Sequence, residues 1–442
     1  MIPASHLFDQ STLATLLEFD PVVQDYRTFF AWLDWSLVQQ WQEPRSCHRG
    51  RPAHPLSAYL KVLLIRVREA MIYTTQLRRF LLNHPRLFIE LDFRLQLDPS
   101  QPYGFDVDKT VPCESWLREQ LHSFDHDLLQ ALLRATVVAL KQEIPGLGET
   151  VAFDVKHIYA WVRENNPRVY TKGRYDVTHH AKGDPDCRLG VKKSSNQEQP
   201  DGSKKDKKES LFGYGSGVAA ATDPVYGDVV FADYTLPFHE GDVTYFRPLY
   251  RQTVLASDAY PTNITADAAF DAWYLYQCAA LHHGIAAIAL NQHAHPKYSR
   301  DADGTPICPE SLRMQPTYQF HHPNGYRAQR FRCPLLFPQP SGETCRHAQF
   351  AKGRGCVKDV NWELGGQMRV TLDRDGPLYH AIYNQRTSCE RINSQAQALG
   401  IERPKVRNGR SVANLNTLMY LIMNVRALAK AKSINRGLLH MN

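Results

Sequence analysis

The hydrophobic period of the chain changes at Pro145-Gly146, and this change limits the possible folds more than any other sequence feature. The segments before it carry apolar residues at helical spacing and predict helices at 56–71, 76–84 and 124–144. The segment after it, residues 149–162, is rich in β-branched and aromatic residues, as strands are. The sequence therefore predicts an N-terminal all-helical domain, residues 1–147, and a domain that contains strands, residues 148–442.

The second domain has the pattern of an α/β fold. Residues 214–222 and 228–236 predict two strands of a hairpin, joined through DPVYG. Three further segments predict a strand, a helix that ends at Gly284, and a second strand, at 263–267, 269–283 and 285–291. Asp267 lies at the carboxyl end of the first strand of this β-α-β unit, where open α/β sheets bind their ligands.

Two long segments of this domain look like insertions. Residues 176–210 are charged and almost free of large apolar residues, which predicts a flexible surface insertion. Residues 292–375 are rich in proline, cysteine and aromatic residues and contain short strand-like pieces such as 326–333 and 367–373. The second segment is therefore predicted to be a β-rich insertion.

The net charge of +7 is concentrated in two segments. Residues 45–89 hold nine Lys or Arg and one acidic residue, and residues 386–436 hold ten Lys or Arg and two acidic residues. Clustered Lys and Arg neutralise phosphates well, so these segments indicate a polyanionic partner such as a nucleic acid. Two solvated helix surfaces would give the same composition.

The first basic segment contains two predicted helices joined by Tyr73-Thr74-Thr75, with Arg78 and Arg79 on the second helix. A helix, a short turn and a second helix that carries basic residues is the arrangement of helix-turn-helix DNA-binding motifs. A helical bundle produces the same pattern, so the sequence leaves both interpretations open.

Three acidic residues far apart in the sequence could meet in one fold. Asp154 lies within a predicted strand, Asp267 at a strand end and Glu390 on a late helix. Three carboxylates are tolerated together only around a cation, and oxygen ligands suit Mg²⁺ or Mn²⁺. Two such ions about 4 Å apart promote in-line phosphoryl displacement. Alternatively, each acid caps a turn or forms a salt bridge.

The late helix is predicted at residues 383–400, YNQRTSCERINSQAQALG, and its exposed face is unusual. Tyr383, Arg386, Glu390 and Gln397 lie within roughly 60° of one another at 100° per residue. A helix that only packs in a core has apolar residues at such positions. This polar face therefore indicates a binding or catalytic role.

The segment YNQRTSCERINSQAQ resembles the Y-x2-R-x3-E-x6-K signature of bacterial insertion-sequence transposases of the DDE class. AFDVKHI is similar to the strand that carries the first aspartate of that family, here Asp154, and TADAAFDA is similar to its D-A-G-[FY]-D segment, with Asp267. Two earlier segments resemble its N-terminal helical domain, namely GRPAHPLSAYLKVLLIR and LRRFLLNHPRLFIELDF. Two others resemble the region before its second strand, namely DPDCRLGVKK and FGYGSGVAAATD. The resemblance extends from about residue 49 to residue 428.

The resemblance implies a DNA transposase with an RNase H-like mixed sheet flanked by helices. It implies that Asp154, Asp267 and Glu390 are catalytic and hold two Mg²⁺ or Mn²⁺ ions that support DNA strand cleavage and strand transfer. Arg386 is implied to contact a phosphate near the cut and Tyr383 to position the strand. The implied partners are the terminal inverted repeats of the insertion sequence, target DNA and a second copy of the chain.

Two positions depart from the family pattern. Gln397 stands where the signature has lysine, so a neutral amide, or Lys405, Arg407 and Arg410 in the basic loop 401–410, would have to contact the DNA phosphate. Ala269 stands where the family usually has glycine. Neither change removes a predicted metal ligand.

The nine cysteines are irregularly spaced, which suits reduced thiols or a metal site better than disulfides. Four of them lie in the predicted β-rich insertion, with His347 nearby, and a structural zinc ion would suit such a set: Cys308, Cys333, Cys345 and Cys356. Because these cysteines form no C-x2-C pair, buried free thiols are favoured over zinc.

The sequence predicts a cytoplasmic protein associated with the bacterial nucleoid. Its start has no basic segment followed by an apolar one, and no apolar run approaches the roughly 20 residues that span a bilayer. Two other functions fit the same residues: a transposase-like nuclease without strand transfer, and a DNA-binding protein with a degenerate catalytic core.

Overall fold

The computed structural model describes residues 9–42, 53–198, 204–291 and 299–439. The chain divides into two compact units: the first contains residues 1–148, 154–259 and 388–442, and the second contains residues 149–153 and 260–387. The functional division predicted between residues 147 and 148 stays a prediction. No helix in the described part is long and apolar enough to cross a membrane.

Helices alone precede the first strand, as the sequence predicts. Aspartates begin several of them: Asp20 accepts hydrogen bonds from the backbone N–H groups of Val22 and Val23, and Asp125 accepts one from Asp127. In the described part these helices are Gln10–Glu18 (α1), Pro21–Phe30 (α2), Trp35–Gln42 (α3), Leu56–Arg68 (α4), Thr74–Asn83 (α5), Leu87–Glu90 (α6), Val107–Thr110 (α7), Glu114–Ser123 (α8) and His126–Glu143 (α9).

A mixed sheet flanked by helices follows. Its strands are Thr150–Tyr159 (β1), Arg188–Glu198 (β2), Lys204–Asp223 (β3), Gly227–Pro237 (β4), Asn263–Ala266 (β5) and Ala286–Ile288 (β6). The strand order is β2-β3-β1-β5-β6, and β4 also pairs with β3. Strands β2 and β4 run antiparallel to β3, whereas β5 runs parallel to β1 and β6. The first residues of β1, 150–153, belong to the second unit.

The charged segment 176–210 contains more regular structure than its composition predicts. It includes strand β2 and the first residues of β3, which pair from Arg188 opposite Gly213 onward. Strand β3 is long enough to pair with β2 along its first half and with β4 along its second half. Residues 199–203, also part of the predicted insertion, lie outside the described residues.

Helices Phe246–Ser257 (α10) and Gly409–Leu439 (α16) complete the first unit. Helix α16 packs against α4, α8, α9 and β4. It has an apolar stripe that is buried: Val412, Leu415, Leu418, Met419, Ile422 and Val425. Polar residues of the same helix are also buried, and each needs hydrogen-bond partners inside the protein.

Asn424 of α16 forms hydrogen bonds with both backbone groups of Val230 in strand β4. The β3–β4 register skips Phe231, which marks a β-bulge. Beside the bulge, the Val230 N–H donates to Asn424 Oδ1 at 2.9 Å, and Asn424 Nδ2 donates to the Val230 carbonyl at 2.7 Å. The asparagine amide thus supplies the partners that an edge strand lacks.

Asp233 of β4 is fully buried where α9, α16 and β4 meet. Gln130 Nε2 donates to its Oδ1 and Thr417 Oγ1 to its Oδ2, each at 2.9 Å. Burial raises the pKa of Asp233, while His126 and the two hydrogen bonds act in the opposite direction. The carboxyl group is therefore held in an environment that disfavours its charge.

The second unit contains the predicted β-α-β unit, β5 and β6 with helix Trp273–Leu281 (α11) between them. A separate antiparallel sheet lies in the predicted insertion and consists of Gln315–His322 (β7), Tyr326–Arg332 (β8) and Val357–Asn361 (β9). Residues 292–298 of that insertion lie outside the described residues. The remaining helices are Ala348–Ala351 (α12), Leu364–Thr371 (α13), Pro377–Tyr383 (α14) and Thr387–Ala398 (α15), the last of which leads into the first unit.

Two local predictions were wrong. Most of residues 367–373, predicted as a strand-like piece, form the end of helix α13. The single helix predicted from residue 383 is interrupted, since α14 ends at Tyr383, a 3₁₀ turn covers Asn384–Arg386 and α15 begins at Thr387. Tyr383 and Glu390 therefore lie on different helices.

Candidate active site

Asp154 lies in the middle of β1, and its side chain contacts helix α15. Phe153 and Val155 are buried while Asp154 and Lys156 are partly exposed, which is the alternation of a strand with one polar face. Asn393 Nδ2 donates a hydrogen bond to Asp154 Oδ2 at 2.8 Å. This contact fixes which face of α15 meets the aspartate.

Glu390 lies on that same face of α15. It precedes Asn393 by three residues, and residues three apart are neighbours on a helix surface. Glu390 is exposed and lies in the first turn of the helix, where the helix dipole favours a negative charge. Within the first unit, the structure therefore places the predicted first and third acids on facing elements.

A second polar contact lies further along the same two elements. Lys156 follows Asp154 on the same strand face and donates to Glu402 Oε1 at 2.6 Å. Gln397 Nε2, one turn beyond Asn393, donates to Glu402 Oε2 at 3.3 Å. The Gln397 amide, predicted to contact DNA, is thus held by the carboxylate that also binds Lys156.

The Asn393 amide is only half satisfied. Its Oδ1 is buried and has no hydrogen-bond partner in the described part of the protein. A buried amide oxygen without a donor costs about 1–3 kcal/mol, so such an atom calls for a functional explanation. Asp154 accepts from the amide nitrogen, which directs the oxygen away from the carboxylate.

Asp267 lies in the second unit, directly after β5. Ala269 N–H donates to its Oδ1 at 2.9 Å, so the aspartate caps the 3₁₀ turn Ala268–Phe270. In the parallel register, Phe153 pairs with Ala266. In the chain, Asp154 directly follows Phe153, and Asp267 directly follows Ala266.

The neighbouring Asp271 has a structural role. Arg369 binds it with two hydrogen bonds of 2.8 and 2.6 Å, and the Asn291 N–H donates a third at 3.0 Å. Burial opposes the charged form, but these donors keep the pKa of Asp271 below its ordinary value. Asp271 therefore fastens α13 to the loop after β5.

Tyr383 and Arg386 lie together in the second unit. The Tyr383 ring stacks on Tyr379 with ring centres 5.4 Å apart, and the Arg386 guanidinium lies 5.7 Å from the Tyr383 ring centre. Tyr379 and Ile382 pack on Ala287 of β6, which anchors α14 to the sheet. The phenol and the guanidinium therefore lie at the end of an anchored helix.

The basic residues near α15 fall into two groups. Arg391 binds Asp228 with two hydrogen bonds of 2.7 and 2.6 Å and so joins α15 to the β3–β4 hairpin. Arg403 lies 4.3 Å from the Tyr159 ring centre, and Lys405 and Arg407 lie 5.7 and 4.8 Å from the Trp161 ring centre. None of these three has a carboxylate partner among the residues that the structure describes. The exposed Arg410 follows them at the start of α16.

The N-terminal basic segment is mostly engaged in the fold. Arg78, predicted to bind DNA, donates to Asp108 Oδ1 at 2.7 Å, whereas the neighbouring Arg79 is exposed. Arg66 is buried and donates to the carbonyls of Met71 and Ile72 after α4. Lys61, Arg68 and Arg86 also form salt bridges, so most of the basic residues that the structure describes in this segment have partners within the fold.

The insertion cysteines are free thiols. Cys308, Cys333 and Cys356 are buried, Cys345 is partly exposed, and Cys356 Sγ lies 3.6 Å from His347 Nδ1. Throughout the described ranges, no group of three or more His, Cys, Asp or Glu side chains is arranged to hold a metal ion. This holds for the cysteines and for the three predicted catalytic acids alike.

Sequence reasoning missed Asn393, Arg391, Arg403 and Trp161. An asparagine inside a helix is disfavoured unless its side chain has a partner, so Asn393 carried a weak signal. The other three residues carried none, because only the fold shows which aromatic ring or carboxylate each cation meets.

Comparisons with known proteins add little. No family model matches this sequence, and no curated protein matches it. The cryo-EM structure of a piggyBac transposase synaptic complex with hairpin DNA matches with a TM-score of 0.31 and 10% sequence identity, over 99% of this chain and 84% of that chain. A TM-score of this size does not establish a shared fold.

Proposed function

We propose that the protein is a DNA transposase of the DDE class, with Asp154, Asp267 and Glu390 as its catalytic acids. The hydrogen bond from Asn393 to Asp154 is the observation that carries the proposal, because it turns the Glu390 face of α15 toward β1. The signature segments predict that Asp154 and Glu390 act together, although the two residues lie more than 230 positions apart in the sequence.

The strand order supports an RNase H-like core. When β2 is left out, the strand order of the sheet is β4-β3-β1-β5-β6, and β5 runs parallel to β1. Such a core has a central first strand that carries an acid, followed by a second acid after the neighbouring parallel strand. Asp154 lies in β1, and Asp267 directly follows the parallel neighbour β5.

The donor set is suited to Mg²⁺ or Mn²⁺, which prefer carboxylate oxygens and retain water ligands. When bound, two such ions would activate a water or 3′-hydroxyl and stabilise the leaving oxygen. Asp154, Asp267 and Glu390 would hold them.

The other residues of the proposal bind and orient DNA. Arg386 and Tyr383 would contact the strand near the cut, and Lys405, Arg407 and Arg410 would contact phosphates beyond it. Gln397 would add a weaker contact, because its amide is shared with Glu402. Arg79 and Arg78 would bind the ends of the element, and Arg78 would first have to leave Asp108.

The test is metal-dependent cleavage of the element's own ends. Alanine at Asp154, Asp267 or Glu390 is expected to abolish cleavage in Mg²⁺ and Mn²⁺, while binding to the same DNA in EDTA persists or tightens as charge repulsion falls. Glu119→Ala, which changes an exposed glutamate of α8, is the matched control and is expected to cleave normally. An Asp154→Ala protein that nicks at the wild-type rate would refute the assignment.

Strand transfer is tested separately. A protein that cleaves the ends but never joins them to target DNA would be a transposase-like nuclease. A protein that binds the ends but shows no metal-dependent nicking would be a DNA-binding protein with a degenerate core. Joined products with a short target duplication would support the transposase.

A further inference from the structure

A large cavity lies in the first unit, between the end of β1 and the loop after α15. Its volume is about 770 Å³, within the range of about 300–1,000 Å³ that is common for small-molecule sites. Residues 159–167 line one side of it, residues 209–212 another, and Arg403, Lys405 and Arg407 a third. Neither the three catalytic acids nor their neighbours line this cavity.

The cavity is strongly cationic. Five basic side chains line it, namely Arg163, Arg174, Arg403, Lys405 and Arg407, against the two carboxylates of Glu164 and Glu209. The Tyr159 hydroxyl donates to Glu209, and His179 lies 3.3 Å from Glu164 Oε1, whereas Glu164 Oε2 is buried with no hydrogen-bond partner in the described part of the protein. The cavity therefore favours an anionic ligand.

Flat groups are stacked in the same cavity. Arg403 lies over the Tyr159 ring and Arg407 over the Trp161 ring, which holds both guanidinium planes in place. Trp161 is 38% exposed and Tyr175, also in the lining, is 68% exposed. Exposed rings and guanidinium planes beside cations are the combination that binds unpaired nucleotides.

We propose that this cavity binds an unpaired nucleotide of the DNA on which the protein acts, with the base stacked on these groups and the phosphate on Lys405 and Arg407. The inference rests on the proposed function, because it takes DNA as the ligand. Duplex DNA does not fit the same chemistry, since its base faces are stacked on one another.

The cavity begins at the end of the strand that carries Asp154. Tyr159 follows Asp154 by five residues of the same strand, which corresponds to about 16 Å at 3.3 Å per residue. That distance equals about five base steps of B-form DNA. The cavity would therefore hold a nucleotide near the cleavage position, not at it.

The test measures binding in EDTA, so that no cleavage is needed. The probes are a fluorescein-labelled single-stranded oligothymidylate of about 15 nucleotides and a duplex of equal length, and the readout is anisotropy. Trp161→Ala is expected to weaken single-strand binding about tenfold, as loss of one base–aromatic stack does, and to change duplex binding less than about twofold. Trp161→Phe should retain most of the single-strand affinity.

Trp116→Ala is the matched control, because Trp116 is an exposed tryptophan of α8 outside the cavity. It is expected to bind both probes normally. Lys405→Gln with Arg407→Gln should weaken single-strand binding and lower the salt slope by about 0.7 for each phosphate contact that is lost. If Trp161→Ala fails to fold, Tyr175→Ala on its exposed loop replaces it, with a loss confined to the single strand.

Three results would overturn the proposal: no loss of single-strand affinity in any cavity variant, equal losses on single strand and duplex for Trp161→Ala, or thymidine monophosphate that binds as tightly as the oligonucleotide, which would assign the cavity to a free nucleotide. Failure of the proposed function would look different. There, Asp154→Ala would leave cleavage unchanged whatever the cavity variants do to binding.

Discussion

At the scale of single residues, Asn393 decides how the candidate active site is arranged. Its Nδ2 holds Asp154, and its buried Oδ1 has no partner in the described part of the protein. If Asp154 holds a metal ion as proposed, the amide oxygen of Asn393 would be available to accept a hydrogen bond from a water ligand of that ion. We therefore interpret Asn393 as a positioning residue for Asp154 and not as a catalytic residue.

Asn393→Ala is expected to raise the Mg²⁺ concentration needed for half-maximal cleavage by about 10-fold or more, as the loss of outer-shell partners does. It should also reduce the thermal stabilisation that Mg²⁺ gives the DNA-free protein, measured by differential scanning fluorimetry. Asn393→Asp would place a second negative charge beside Asp154, raise the pKa of that carboxyl and shift the pH profile of cleavage upward.

Gln395→Ala, on the exposed side of the same helix, serves as the control and should match the wild type. DNA binding in EDTA should be unchanged in Asn393→Ala and Gln395→Ala. An Asn393→Ala protein with normal Mg²⁺ dependence would mean that the asparagine only supports packing.

At this scale the sequence predicts three catalytic acids, but it does not predict the residues that contact them. Asp154, Asp267 and Glu390 are found from short segments that keep their order along the chain. Asn393 stands in the same stretch as Glu390 and still was not predicted, because the sequence does not say which helix face meets β1. Arg391 shows the same limit, since it belongs to a basic segment but forms a structural pair with Asp228.

At the scale of elements, the contact between α16 and the edge strand β4 depends on Asn424. Asn424→Ala is expected to lower the free energy of unfolding by about 2–4 kcal/mol, because the Val230 N–H and carbonyl would be left buried without partners. Chemical denaturation measures the change. Asn384→Ala, at an exposed asparagine, should cost less than about 0.5 kcal/mol; an equal loss in both variants would contradict the assigned role.

The elements themselves were predictable where their local signals agree. The β5-α11-β6 unit is confirmed, because alternation, helix period and the stop at Gly284 all point the same way. Strand β2 was missed because its residues are charged, and a strand with few apolar residues has no period-two signal. Helix α13 was misassigned because its β-branched residues favour strands, whereas packing against α11 decides its form.

At the scale of the whole molecule, the buried Asp233 makes stability depend on pH. Its folded-state pKa is raised, so the folded protein loses stability as pH rises from the ordinary value of about 4 through that raised pKa. Asp233→Asn keeps the shape and can still bond Gln130 and Thr417. It is expected to raise the melting temperature at neutral pH by a few degrees.

The difference between wild type and Asp233→Asn should shrink as pH falls toward 4 and level off below it, where the wild-type carboxyl is neutral in both the folded and the unfolded state. Thermal melts over this pH range measure it. Asp34→Asn, an exposed aspartate, is the control and should show no such convergence. A variant that is less stable than the wild type at neutral pH would show that the charged form is favoured.

Helix α16 comes last in the chain, yet α4, α8, α9 and β4 all pack against it. A gene copy with an early stop codon before residue 409 would encode the N-terminal helices without the surface that covers them. We expect such a product to be degraded or to aggregate. Under the proposed function, truncated copies would then be genetically silent, because they could not occupy the ends of the element and block an intact copy in the same genome.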